Sequence, residues 1–169
     1  MKGFERMTVA QIAPMPASEV APRATATLYP KEFAERVAGR IKRRLGDHFG
    51  ISSFGVNLTE LPPGCQSALL HRHTQQEEFV YILSGVATLC TGAEQHQLST
   101  GSCVGFLPTG PAHHLVNLSD QNVLYLEIGD RLPGDAAEYP QDDLVAEMTA
   151  TGWEFRKRDG TLWSDRETA

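Results

Sequence analysis

Between Ile51 and Gly129 the chain alternates short apolar stretches with turn residues. Turns recur roughly every 8–12 residues, the signature of an all-β sandwich or barrel. The stretches 51–59, 66–73, 78–83, 86–91, 94–98, 103–107, 113–118 and 122–129 read as strands. Between them fall Pro62-Pro63-Gly64, Ser84-Gly85, Thr91-Gly92, Thr100-Gly101, Pro108 to Pro111 and Ser119 to Asn122, all turn chemistry. Eight strands with no intervening helix predict a closed or two-sheet antiparallel barrel over 49–131. Upstream, Phe33, Val37, Ile41 and Leu45 stand four apart, the spacing of one helical face over 31–46, with Pro30 before it and Gly46 at its end. Gly39 interrupts that pattern, and Ile41 with Leu45 equally suits entry into a strand. Residues 1–30, rich in Ala, Pro and Thr, read as an irregular arm of an N-terminal extension, 1–48. The C-terminal extension, 132–169, is expected to pack on the barrel, with a short helix at 142–150 and Trp153 and Trp163 closing it.

Composition narrows the class. A chain of 169 residues that is 41% apolar and 21% charged is one globular domain. Fifteen basic against twenty-one acidic residues leave a net charge of −6, which excludes a general nucleic-acid binder. The run Arg36, Arg40, Lys42, Arg43, Arg44 is interleaved with Glu32, Glu35 and Asp47, the pattern of a solvated face. No apolar run approaches the ~20 residues needed to span a bilayer, so no membrane association is expected. Glu5, Glu19 and four prolines within residues 1–30 do not read as a secretory leader, and Met7 is an alternative start to Met1. Cys65, Cys90 and Cys103 form no CxxC pair and no even framework, which fits reduced thiols in the cytoplasm.

Chemistry concentrates in two segments. In His71-Arg72-His73, side chains two apart on a strand share a face, so both imidazoles can reach one metal ion. A carboxylate from the next strand could complete the set, and since Glu77 and Glu78 point to opposite faces, only one of them can. A second segment, Pro108 to Asn117, carries His113 from a Gly/Pro turn into a strand.

These segments resemble the cupins, small antiparallel β-barrels (double-stranded β-helix, or jelly roll). The family's first motif, G-x5-HxH-x(3,4)-E-x6-G, is matched from His71 through Glu78 to Gly85. The second, G-x5-PxG-xx-H-x3-N, is matched from Pro108 through Gly110 and His113 to Asn117. Six residues rather than five follow Gly64 and Gly101, and Cys103 lies near where many cupins carry Asp; neither departure touches a ligand position. The segments LGDHFGISSFGVNLTELPPG, HTQQEEFVYILSG, EYPQDDL and KRDG are similar more narrowly to bacterial cupins labelled provisionally as sugar-phosphate isomerases. The resemblance implies that His71, His73, Glu78 and His113 ligate one divalent transition metal ion (Fe, Mn, Ni or Zn) with two open positions. It also implies a homodimer and a small-molecule substrate, with a metal-dependent isomerase acting on a sugar or sugar phosphate as the leading function. A non-haem metal dioxygenase and a non-catalytic sugar- or metabolite-binding cupin are the alternatives.

Other candidates read more simply. Glu77, His48 and His96 are expected in solvent, His114 at the surface or behind the ligands, and Cys65 and Cys103 as small buried groups. Tyr81 falls on the face opposite Glu78. No further inward-facing acid near the ligands stands out as a general base. Between Ile51 and Asp130 Arg72 is the sole cation, against seven acids, so this segment carries the whole net charge of −6. A phosphate anchor must then come from the extensions, with Arg36, Arg40 and Arg131 as candidates, or from a partner subunit.

Overall fold

A computed structural model describes residues 13–24, 27–92 and 94–163. It is mostly β, as the alternation requires, and forms a two-layered antiparallel jelly roll. One layer has the order β1 (Ile41–Arg44), β2 (Phe54–Leu61), β9 (Val123–Asp130), β4 (Glu78–Ser84), β7 (Cys103–Phe106). The other layer has two parts. In the first, β12 (Gly152–Arg156), β11 (Leu144–Thr149), β10 (Ala136–Tyr139) and β3 (Arg72–His73) are neighbours in that order. In the second, β6 (Glu94–Ser99), β5 (Val86–Thr91) and β8 (His114–Val116) are neighbours. The bridges Gln66↔Val116 and His71↔His113 join the two parts.

Period-two alternation decides which residues fill the space between the layers. Leu61, Val80, Ile82, Leu89, Leu115, Val123 and Tyr125 form the buried core of the barrel. The turn into β5 is tight: Gly85 has φ 82°, and a Cβ there would meet the Asn122 carbonyl oxygen at 2.6 Å. Asn117, fully buried, donates its amide to the carbonyls of Leu61 and Gln121, both at 2.7 Å, and so pins the loop after β8.

The structure departs from the sequence expectation in three places. Residues 31–46 do not form one helix. Helix α1 (Lys31–Ala34) passes into a 3-10 turn over 35–37, Gly39 breaks it at φ 86°, and the chain continues as β1 and a second short helix, α2 (Leu45–His48). Phe33 and Val37 keep the helical face and are buried, whereas Ile41 sits on a strand. Second, the expected helix at 142–150 is strand β11, because Leu144 and Ala146, two apart, are the residues buried against Phe33, Leu69 and Phe155. Packing has overridden the helix propensity of Ala, Glu and Met here. Third, of the expected strand 66–73 only Arg72 and His73 join a ladder; Leu69 and Leu70 are buried in an irregular approach to it. Both flanks thus contribute strands to the layers.

Candidate metal centre

The isolated bridge His71↔His113 brings the two histidine segments together, with His71 N–H donating to the His113 carbonyl at 3.2 Å and His113 N–H to the His71 carbonyl at 2.7 Å. His73 follows on β3, and Glu78 opens β4 directly opposite Gly129 of β9. A Cβ on Gly129 would stand 3.6 Å from Glu78 Cγ, so the glycine leaves room for the carboxylate arm. All four side chains line one cavity of about 660 Å³ between the layers.

The imidazoles are aimed by what lies behind them. His71 Nδ1 faces the Leu69 carbonyl at 2.9 Å, His73 Nδ1 faces Asp135 Oδ2 at 2.6 Å, and His113 Nδ1 faces the Pro111 carbonyl at 3.3 Å. Those acceptors carry no hydrogen, so each bond needs the proton on Nδ1, which turns Nε2 inward. The three Nε2 atoms converge on Glu78 Oε2, at 3.7 Å from His71, 3.7 Å from His73 and 3.0 Å from His113. Ligand atoms of His71, His73 and Glu78 all lie within 4.8 Å of one another, a group able to hold a metal ion. Phe106 stacks on the His113 ring with centroids 3.4 Å apart and planes 2° from parallel, fixing that ring's plane.

Burial pushes the His71 imidazolium down to about 4, with the fields of His113 and His73 adding to it, so the ring is neutral at pH 7. For Glu78, burial would raise the carboxyl. The close approach of His113 and the proximity of His71 and His73 outweigh it and hold the group well below the usual carboxylate range. A neutral imidazole at His71 and an ionised carboxylate at Glu78 are states a divalent cation requires.

Asp135 was invisible in the sequence, where it stands alone in a Gly/Pro-flanked loop. It is 1% exposed and its Oδ1 accepts the backbone N–H groups of Thr74, Gln75 and Gln76, at 3.1, 2.8 and 3.2 Å. This locks the turn after His73 while Oδ2 orients the ring, the carboxylate–histidine pairing found behind metal ligands. Glu127 is a second acid that no sequence motif marks. It shares the inward face of β9 with Tyr125 and Gly129, two positions from Glu78's partner, and lines the same cavity. Its Oε1 accepts from Lys42 Nζ at 2.7 Å and Asn57 Nδ2 at 3.2 Å. Alternation along Val123, Tyr125 and Glu127 was the signal that could have revealed it.

Other residues fall as expected. Glu77, His48 and His96 are exposed, Tyr81 lies on the outer face, and Arg72 points away to pair with Glu138. His114 Nδ1–H donates to the Ala68 carbonyl at 3.1 Å, and the ring lines the cavity wall, behind the candidate ligands. Cys65 and Cys90 are half-buried, and Cys103 is exposed rather than buried because its strand, β7, is an edge.

The cation count for 51–130 does not describe the cavity, because the N-terminal flank builds part of its wall. Arg23, Arg40, Lys42 and Arg44 line it, with Arg131. Of the three anchors named from sequence, Arg40 and Arg131 are there. Arg131 is engaged by Asp47 and by the Ile51 carbonyl, and Arg36 pairs with Asp142 instead of lining the cavity.

A family model for the cupin domain matches residues 57–129. The fold and sequence are similar to a crystal structure from Silicibacter pomeroyi described as a sugar phosphate isomerase from a cupin superfamily. Identity is 32% and the TM-score 0.83, over 89% of this chain and 96% of that one. A protein of Acidithiobacillus ferrooxidans given the provisional name of sugar phosphate isomerase is also 32% identical, at a TM-score of 0.67, over 71% of this chain and 77% of that one. The polyketide cyclase RemF of Streptomyces resistomycificus, 19% identical at a TM-score of 0.56, shares the fold over 70% of this chain and 79% of its own. The comparison with curated proteins gave no match. With both histidine segments closed around one cavity and a third of its residues shared across nearly the full length of a cupin structure, the chain belongs to the cupin superfamily.

Proposed function

We propose that this cupin is a metal-dependent enzyme with isomerase-like chemistry on a small oxygen-rich substrate of the sugar or sugar-phosphate class. The observation that carries it is the convergence of three Nδ1-anchored imidazoles on one buried carboxylate. His71, His73, Glu78 and His113 would hold one divalent transition ion, and such an ion would supply Lewis-acid polarisation of a substrate carbonyl. Glu127 takes a proton from the carbon beside that carbonyl and returns it to the neighbouring carbon. Lys42 and Asn57 engage its Oε1, which leaves Oε2 for substrate. The two 32%-identical relatives described as sugar phosphate isomerases support the reaction class.

The test reads metal first. Stoichiometric transition metal in the purified protein, lost in His71→Ala with His113→Ala, is the expected result; unchanged metal content in the double variant removes the site. Turnover of ketose and aldose substrates, against O2 uptake on catechols or diketones, then separates isomerase from dioxygenase.

The protein pairs as a homodimer through the outer face of the β2-β9-β4 sheet. Phe79, Tyr81 and Leu83 alternate along that face of β4 with 37–39% exposure, beside Val56, Leu126 and Ile128. Sedimentation of Tyr81→Glu as a monomer tests it. Three cysteines outside any disulfide fit a reducing compartment, the cytoplasm, and no helix among the described residues is long and apolar enough to cross a membrane.

A further inference from the structure

The cavity has a second pole. Its histidine end is neutral or anionic, whereas Arg23, Arg40, Lys42 and Arg44 gather on the wall contributed by the N-terminal flank. Strand β1 makes this possible. Lys42 and Arg44 sit across from Thr59 and Asn57 of β2, on the inward face, and Arg23 N–H donates to the Lys42 carbonyl at 2.9 Å, laying the preceding arm alongside.

Crowding like charges in a partly buried space is unfavourable unless an anion offsets them. Lys42 meets Glu127, and Arg44 meets Asp47, which also takes Arg131. Arg40 is different. Its Nε is buried and has no hydrogen-bond partner among the described residues. Its field, after burial, is the largest like-charge influence on Arg23, and it also lowers Lys42, where burial is again the larger cause. A guanidinium half withdrawn from water with an unmet N–H is a donor waiting for an acceptor.

The two poles are close enough for one small molecule. Tyr139 stacks on His71 at 5.9 Å between centroids and meets Tyr29 edge-on at 5.7 Å. Tyr29 and Tyr139 line the same cavity as Glu78 and Arg40.

We infer that Arg40, with Arg23 and Lys42 beside it, binds the phosphate of a small phosphate monoester whose other oxygens face the histidine–glutamate end. A phosphate dianion matches several converging cations better than a carboxylate, and the arginine fork suits its oxygens. The inference rests on the substrate class proposed above and selects its anionic member.

Calorimetric titration with inorganic phosphate, glucose 6-phosphate and glucose tests it on the full chain. Inorganic phosphate binds, and glucose 6-phosphate binds at least tenfold more tightly than glucose. Arg40→Gln and Arg23→Gln each weaken both phosphate ligands about tenfold, with metal content unchanged and circular dichroism confirming that each variant is folded. His71→Ala with His113→Ala loses metal and still binds inorganic phosphate, which separates this site from the metal reading. No phosphate binding by the wild-type protein, or wild-type affinity in folded Arg40→Gln, overturns the inference. Binding of inorganic phosphate without glucose 6-phosphate overturns the monoester assignment.

Discussion

The two ends of the cavity are built in opposite ways. At the histidine end, ligand types recur at fixed spacing on strands whose alternation aims them, and a single backbone bridge, His71↔His113, brings the segments together. At the cationic end, no spacing is fixed. Arg23 comes from a segment that reads as an irregular arm, Arg40 and Lys42 from one that reads as a solvated basic helix, and they arrive only because β1 pairs with β2. A site encoded locally is legible in sequence, and a site assembled by long-range pairing is not.

Acid separates the two ends most strongly. Arginines do not titrate near neutrality, whereas burial holds His71 at about 4 in the folded state against about 6.5 unfolded. As pH falls from 6.5 to 4, the unfolded chain takes up a proton that the folded, metal-free protein refuses, so stability falls with pH across that window. At 1.4 kcal/mol per pH unit this amounts to roughly 3 kcal/mol. The depressed Glu78 acts in the same direction at lower pH: its stabilisation is present above the ordinary carboxylate pKa and is lost as pH falls toward its folded value. Urea denaturation of chelator-treated protein at pH 7 and pH 4.5 reads the loss. His71→Leu flattens the profile, and an unchanged slope in that variant would show that His71 is not the group responsible.

Asp135→Asn comes next in size. The substitution keeps an oxygen for the N–H groups of Thr74, Gln75 and Gln76 but turns an amide donor toward His73 Nδ1–H, which opposes donor to donor. His73 must then rotate or move its proton to Nε2, the atom needed for the ion. Metal affinity drops about 10- to 100-fold, measured by competition with a chromogenic chelator, while phosphate affinity at the arginine end stays at the wild-type level. A loss at both ends would mean that Asp135 supports the whole cavity rather than one histidine.

The same contrast explains what could be read beforehand. The barrel strands from Phe54 to Asp130 were legible because period-two alternation and Gly/Pro turns act over a few residues. The four candidate ligand positions followed from the resemblance of the His71–Glu78 and Pro108–Asn117 segments to the cupin motifs. Residues 142–150 read as helix because Ala, Glu and Met favour helix locally, while the burial of Leu144 and Ala146 against the N-terminal Phe33 makes them strand. Asp135 and Glu127 escaped notice for a related reason. A lone carboxylate carries no pattern, and its role depends on which nitrogen the fold sets against it.

Arg36 supplies the smallest expected effect and a clean discrimination. In the sequence it is indistinguishable from Arg40 as a phosphate anchor, four residues away on the same apparent helical face. Gly39 ends that face, so Arg40 turns into the cavity while Arg36 stays on the surface and donates to Asp142 Oδ1 at 2.5 Å. With Arg36 43% exposed, the pair joins the N-terminal flank to the C-terminal one through a solvent-screened contact worth about 0.2–1 kcal/mol. Arg36→Ala therefore lowers the denaturation midpoint slightly and leaves both metal content and phosphate affinity at wild-type values. A tenfold loss of phosphate binding in Arg36→Ala, equal to that in Arg40→Gln, would mean that the basic flank attracts anions by its overall field. Equal affinity in Arg36→Ala and the wild-type protein, with the loss confined to Arg40→Gln, ties recognition to the guanidinium that the break at Gly39 turns inward.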